Sequence, residues 1–202
     1  MEHIEKYLDE VKKIVDGLDR SVIDKMVMLL AEVRKNRGRL FLLGVGGSAG
    51  NASHAVNDFR KLAGFEAYTP VDNVSELMAR TNDEGWETVF SAWLEGSHLG
   101  PKDAVMVFSV GGGNAERNIS ANIVQALKHA QKVGAKILGI VGRDGGFTAK
   151  VADAALIIPT VNPETVTPHA ESFQGVVWHL IASDPRLKQV ENKWESTVKG
   201  GK

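Results

Sequence analysis

Apolar residues recur at spacings of three and four over residues 2–18, where Ile4, Tyr7, Leu8, Val11, Ile14, Val15 and Leu18 fall on one face. They recur again over 21–36 with Val22, Met26, Met28, Leu29, Leu30 and Val33. This spacing predicts two amphipathic helices. Ser21 is the expected cap of the second, and Asn36, Arg37 and Gly38 end it with turn chemistry and positive charge at the dipole's negative end. From residue 40 the pattern changes. Continuous apolar runs at 40–43, 104–110, 136–142 and 155–159 read as strands buried on both faces. A shorter strand is predicted over 66–71, with Pro70 marking its end or a sheet edge.

The stretches between these strands carry helical patterns. A helix is predicted over 47–63 with Gly64 as its left-handed stop, another from Asn73 or Ser75, one over 86–93, one over 115–133 closed by Gly134, a short one after Gly146, and a last one over 168–182. Residues 81–85 read as a polar loop. Strands alternating with helices predict an α/β fold: a doubly wound, mostly parallel five-stranded sheet with helices on both faces, flavodoxin-like and three-layered. The helical hairpin at residues 1–38 precedes it, with apolar faces that cover the sheet or a neighbouring subunit. Residues 39–184 form the α/β domain, and 185–202 a charged, frayed tail.

The chain has 202 residues, a formal net charge of −1 and no cysteine. The charge balance removes the broad electrostatic case for nucleic acid or an anionic membrane as partner. Without cysteine there are no disulfides or thiolate ligands, so any metal must be held by His, Asp, Glu or amide groups. No run approaches 18 apolar residues and the N-terminus has no leader pattern, so the expected location is the cytoplasm.

Candidate chemistry gathers after two of the strands. The first runs into Gly44-Val45-Gly46-Gly47-Ser48 and a helix, the second into Ser109-Val110-Gly111-Gly112-Gly113-Asn114. A strand, a glycine turn and a helix start present backbone N–H groups to an anion, and phosphate suits them. No P-loop lysine follows, which disfavours an ATPase. Contacts are expected from Gly46, Gly47, Ser48, Ser109, Gly111, Gly112 and Asn114. His54 and Asp58 lie one helical turn apart, either an acid/base or metal pair or a surface pair of small energetic worth. Glu171 and His179 occupy the last helix. His179, among apolar neighbours, reads as a core histidine or as a ligand, and His169 as a solvated cap neighbour or a substrate contact.

The two glycine turns together resemble the phosphosugar-binding sugar isomerase (SIS) domain. The His54/Asp58 helix, Thr81-Asn82-Asp83, Gly142-Arg143-Asp144-Gly145-Gly146 and the helix bearing His179 are similar to the phosphoheptose isomerase branch. The resemblance implies isomerisation of sedoheptulose 7-phosphate to the mannoheptose 7-phosphate, a homotetramer, substrate contacts from Asn82 and Asp83, and a catalytic zinc or similar divalent ion. Carried over by position, the ion's ligands are His54, Asp58, Glu171 and His179. Asp58 stands where the family has Glu, and Glu171 where it has Gln. The implied chemistry is proton transfer through an enediol, with Asp58 or Glu171 as base and His179 as acid. A shared centre requires the His54, Asp58 and His179 side chains within about 5 Å of one point. Glu171 and His179, eight residues apart, are separated by about 12 Å along a helix, which strains a common ion. The family's first turn usually has Asn where this chain has Val45, and its second is rich in Ser and Thr where this chain has Val110, Gly111 and Gly113. The rival reading is a non-catalytic SIS protein of the replication-initiator-associating kind, binding a phosphosugar or a protein partner.

Overall fold

The structure, a computed structural model, describes residues 1–199. The chain runs α1 (Glu2–Gly17), α2 (Arg20–Lys35), β1 (Leu40–Leu43), α3 (Gly47–Lys61), β2 (Ala67–Tyr68), a 3-10 turn (Pro70–Asp72), α4 (Val74–Asp83), α5 (Val89–Gly96), β3 (Ala104–Ser109), α6 (Ala121–Val133), β4 (Lys136–Val141), α7 (Gly146–Val151), β5 (Ala154–Ile157), α8 (Val166–Ser183) and α9 (Lys193–Lys199). The five strands form one sheet in the order β2-β1-β3-β4-β5, every pair parallel. The chain winds outward from β1 toward β2 in one direction and from β3 toward β5 in the other. β1 and β3 therefore flank the switch point, and the crevice beyond their carboxyl ends is where such a sheet receives ligands.

Side-chain alternation divides the sheet into two faces. Leu40, Leu42, Met106, Phe108, Leu138 and Ile140 join Met26, Val27 and Leu30 of α2, Phe59 of α3, and Val177 and Trp178 of α8 in one core. Phe41, Leu43, Val105, Val107 and Ile137 meet Phe90 and Leu94 of α5 and Ile123 and Leu127 of α6 in the other. The N-terminal hairpin is thus part of the first core. Among the described residues no helix is long and apolar enough to cross a membrane.

Four local expectations are corrected. The N-cap of α2 is Asp19, whose carboxylate accepts from the N–H groups of Ser21 and Val22; an ionised acceptor at the dipole's positive end outcompetes a hydroxyl two positions inside. Residues 81–83 continue α4, whose N-cap Asn73 and Arg80–Glu76 ion pair support the helix through its last turn. α6 starts at Ala121, because Asn114 and Ile119 exchange backbone hydrogen bonds (2.9 and 3.0 Å) and close residues 115–118 into a loop. The tail is tethered as far as Val190. Leu187 is fully buried, the Gln189 N–H donates to the Leu62 carbonyl at 2.7 Å, and the Arg34 guanidinium donates to the carbonyls of Ala63, Arg186 and Leu187. Residues 200–202 of the predicted tail lie outside the described residues.

A buried polar knot fastens the hairpin to the first turn of α8. Glu10 of α1 accepts from His169 Nε2 (2.8 Å), Asn162 Nδ2 (2.7 Å) and Thr165 Oγ1 (2.8 Å), and Tyr7 stacks on His169 at 4.3 Å. His169 is therefore a buried partner of Glu10, neither solvated nor in a substrate crevice. These bonds, that from His169 foremost and then that from Asn162, hold the Glu10 carboxyl at about 2 against an ordinary 4.5. The unfolded chain takes up this proton near pH 4.5 and the folded chain near 2. The stabilisation from Glu10 is accordingly complete above 4.5 and is lost as the pH falls toward 2. Glu10→Gln is expected to lower the urea midpoint at pH 7, and the gap to wild type should narrow between pH 4.5 and 2. A gap constant over that range would show that the Glu10 charge contributes nothing.

Candidate active site

β1 ends at Leu43, and the chain turns within four residues into α3. Gly44 permits this, since a Cβ there would collide with the Ser48 carbonyl, and Gly46, at φ 63° and ψ −128°, takes the N-cap. The Ser48 side chain is buried under the first turn of α3. At the second turn, Ser109 Oγ accepts from the Gly112 N–H at 3.0 Å. Both turns lie at the carboxyl ends of the adjacent strands β1 and β3.

The second turn is not a repeat of the first. With α6 displaced to Ala121, the helix start that meets it is that of α7. Phe147 N–H donates to the Gly113 carbonyl (2.7 Å), and Thr148 donates to the Gly112 carbonyl through both its N–H (2.9 Å) and its Oγ1 (2.8 Å). Asn114 is tied into the loop that precedes α6. Asn82 and Asp83 sit at the C-terminal end of α4, their side chains bonded to each other at 2.8 Å.

α3 and α8 pack side by side in parallel, Gly47 beside Glu171, Asn51 beside Gln174, His54 beside Trp178 and Asp58 beside His179. Asn51 Nδ2 donates to the Glu171 carbonyl (2.9 Å) and to Gln174 Oε1 (3.0 Å), fixing the register. Lower on the same seam, one ligand atom from each of His54, Asp58 and His179 lies within 4.8 Å of the others. Asp58 Oδ2 is 3.8 Å from His179 Nε2, while Asn57 Nδ2 donates to Asp58 Oδ1 at 2.8 Å. His179 Nδ1 is 2.7 Å from the Gly175 carbonyl. A carbonyl only accepts, so Nδ1 carries the hydrogen and Nε2 presents its lone pair toward Asp58. Trp178, fully buried, stacks on His179 and meets the His54 ring edge-on at 4.8 Å, giving the cluster an apolar wall. Both imidazoles remain exposed on the other side.

This donor set suits a divalent ion. Two imidazoles and a carboxylate form an N/O site with an open side, the tautomer of His179 is fixed for ligation, and one carboxylate oxygen is oriented by a neighbour. Glu171 does not join it. Its carboxylate lies against Gly47, where a Cβ would strike it, at the positive end of the α3 dipole and more than two helical turns above His179. The residue that sequence reasoning passed over is Asn51. Its spacing of three from His54 and seven from Asp58 places it on the same stripe of α3, the one signal that would have found it.

A family model described as the SIS domain matches residues 6–142. The phosphoheptose isomerase of Syntrophotalea carbinolica is 32% identical over 188 residues, covering 88% of this chain and 89% of that protein. That of Nitratiruptor sp. is 31% identical over 191 residues, covering 91% and 96%. Among solved structures, phosphoheptose isomerase GmhA from Neisseria gonorrhoeae superposes with a TM-score of 0.76 at 23% identity, over 89% of this chain and 92% of that one, a likeness of fold.

If the seam holds a metal as its geometry suggests, calorimetric titration of the metal-free protein with Zn2+ should give one site. His54→Ala and His179→Ala should each weaken binding at least about tenfold, and Glu171→Ala should leave it unchanged. Equal losses in all three variants would contradict the assignment of ligands.

Proposed function

Because the chain belongs to the SIS domain family, in its phosphoheptose isomerase branch, and is a sugar phosphate isomerase, we propose that it converts sedoheptulose 7-phosphate to the corresponding mannoheptose 7-phosphate through an enediol. The observation that carries this reading is the convergence of His54, Asp58 and His179 below a glycine turn at the sheet's switch point.

An aldose–ketose exchange moves one proton between neighbouring carbons and another between their oxygens. It needs a base, an acid and a group that stabilises developing negative charge on oxygen. Asp58 Oδ2 is the base in this reading, since Asn57 holds the other oxygen and leaves this one directed into the cluster. His179 Nε2 serves the oxygens, first taking a proton from a substrate hydroxyl on its lone pair and then, as the imidazolium, acting as the acid that returns it, its ring held by the Gly175 carbonyl. The Trp178 wall keeps water from one side of the cluster and strengthens the electrostatic interactions within it. A divalent ion held by His54, Asp58 and His179, zinc in our reading, would take the place of that proton on His179 and supply Lewis-acid polarisation of the substrate carbonyl. Glu171, seated against the first glycine turn, stands outside the ligand set in this reading. The reading includes a homotetramer in the cytoplasm, with the exposed Val176 and Leu180 beside His179 covered by a neighbouring copy.

Incubation of the zinc-loaded protein with sedoheptulose 7-phosphate, followed by NMR, should show the aldose signal grow. His179→Ala should lower the rate by about two to four orders of magnitude, the range for loss of a general acid. Absence of turnover by the wild type with this and related ketose phosphates would exclude the proposed activity.

A further inference from the structure

Beside the second glycine turn, at the carboxyl ends of β3 and β4, lies a cavity of about 660 Å³ whose lining includes Val110, Arg143, Asp144, Thr160 and Thr167. Arg143 is its cation. The residue holds φ 55°, a left-handed conformation uncommon for a long side chain, in a turn closed by the Gly145 N–H donating to the Gly142 carbonyl (3.0 Å). That conformation sends the side chain toward the glycine turn, its Cδ coming to 3.9 Å from where a Cβ on Gly111 would stand. The guanidinium is exposed and, among the described residues, has no ion-pair or hydrogen-bond partner. The neighbouring Asp144 places Oδ1 on the Gly146 N–H at 3.1 Å.

Two observations decide where an anion would go. At the first turn the Glu171 carboxylate already lies against Gly47, so a phosphate dianion beside it would meet a like charge. At the second turn the Ser109 hydroxyl accepts from the Gly112 N–H and keeps its own O–H to donate, and the charged donor within reach that has no partner among the described residues is the Arg143 fork, whose geometry matches phosphate. Building on the sugar phosphate reading above, we propose that Arg143 anchors the substrate's phosphate at the second glycine turn, and that Glu171 turns the phosphate away from the start of α3. Gly142 packs on Ala170, nine residues before His179. The anchor thus stands about 14 Å above that imidazole's backbone at 1.5 Å per residue. The Arg143 side chain, and the lean of His179 toward the N-terminus of its helix, shorten the gap a substrate must span.

The test compares binding of inorganic phosphate, sedoheptulose 7-phosphate and unphosphorylated sedoheptulose by calorimetry in wild type, Arg143→Asn and Arg143→Lys. Asn tolerates the left-handed backbone and removes the charge. Arg143→Gly, which favours the same backbone, replaces it if the Asn variant fails to fold. Arg143→Asn should weaken both phosphate-bearing ligands at least about tenfold, the loss of one charge-assisted contact, while leaving the unphosphorylated sugar unaffected, and Arg143→Lys should recover part of the loss. In turnover, KM should rise with kcat little changed. Affinities for both phosphate-bearing ligands within twofold of wild type in Arg143→Asn would overturn the anchor even if isomerisation proceeds. The same result with a large gain in phosphate affinity for Glu171→Gln would place the anion at α3 instead. Phosphate binding that depends on Arg143 in a protein that does not turn over the heptose would uphold the anchor and remove the proposed reaction. Wild type that binds neither phosphate-bearing ligand would overturn both.

Discussion

The candidate site depends on the register of α3 against α8. The two helices start at the same end of the sheet and descend together, and the Asn51 amide, donating to the Glu171 carbonyl and to Gln174, fixes which residue of one meets which residue of the other. Everything functional on this seam follows from that pairing. Glu171 is delivered to the glycine turn, Trp178 to the back of His54, and His179 to Asp58. A slip of one residue would rotate α8 by about 100° and carry its imidazole off the seam, because a helix has 3.6 residues per turn.

The same register separates two tasks that compete for charge. A glycine turn at a helix start favours anions, whereas a cluster of two imidazoles and a carboxylate favours a cation. Placing them at different depths lets each keep its own electrostatics. Glu171 sharpens the division, since its negative charge rests against the dipole of α3 at the upper level and stays away from the ligands below.

The sheet and both glycine turns were legible in the sequence because buried parallel strands are continuous apolar runs that here break into glycine at the sheet's carboxyl end. The pair of His54 and Asp58 was legible from helical spacing alone. What escaped depended on tertiary partners. The hydrogen bonds between Asn114 and Ile119 that delay α6 to Ala121 leave no mark in a run whose composition suits a helix. The tail looked frayed because it is charged, yet one apolar residue, Leu187, and the guanidinium of Arg34 hold it. Glu171 was brought toward the ligand set by positional likeness, whereas the rise of eight helical residues opposed it and the structure seats its carboxylate against Gly47. His169 read as a solvated cap neighbour or a substrate contact because it stands near a helix start, but its partner Glu10 lies 159 positions earlier in the chain, beyond any local pattern.

α8 is restrained at both ends. Its first turn is bonded through His169 and Thr165 to α1, and the segment that follows its last turn is clamped to α2 and to the end of α3 by Arg34 and the Leu62 carbonyl. A rod gripped at both ends does not slide along its own axis. The interval between the glycine turns and the imidazole of His179 therefore behaves as a fixed gauge, and accommodation of ligands of different length falls to side-chain rotamers and to the loops at the sheet's edge.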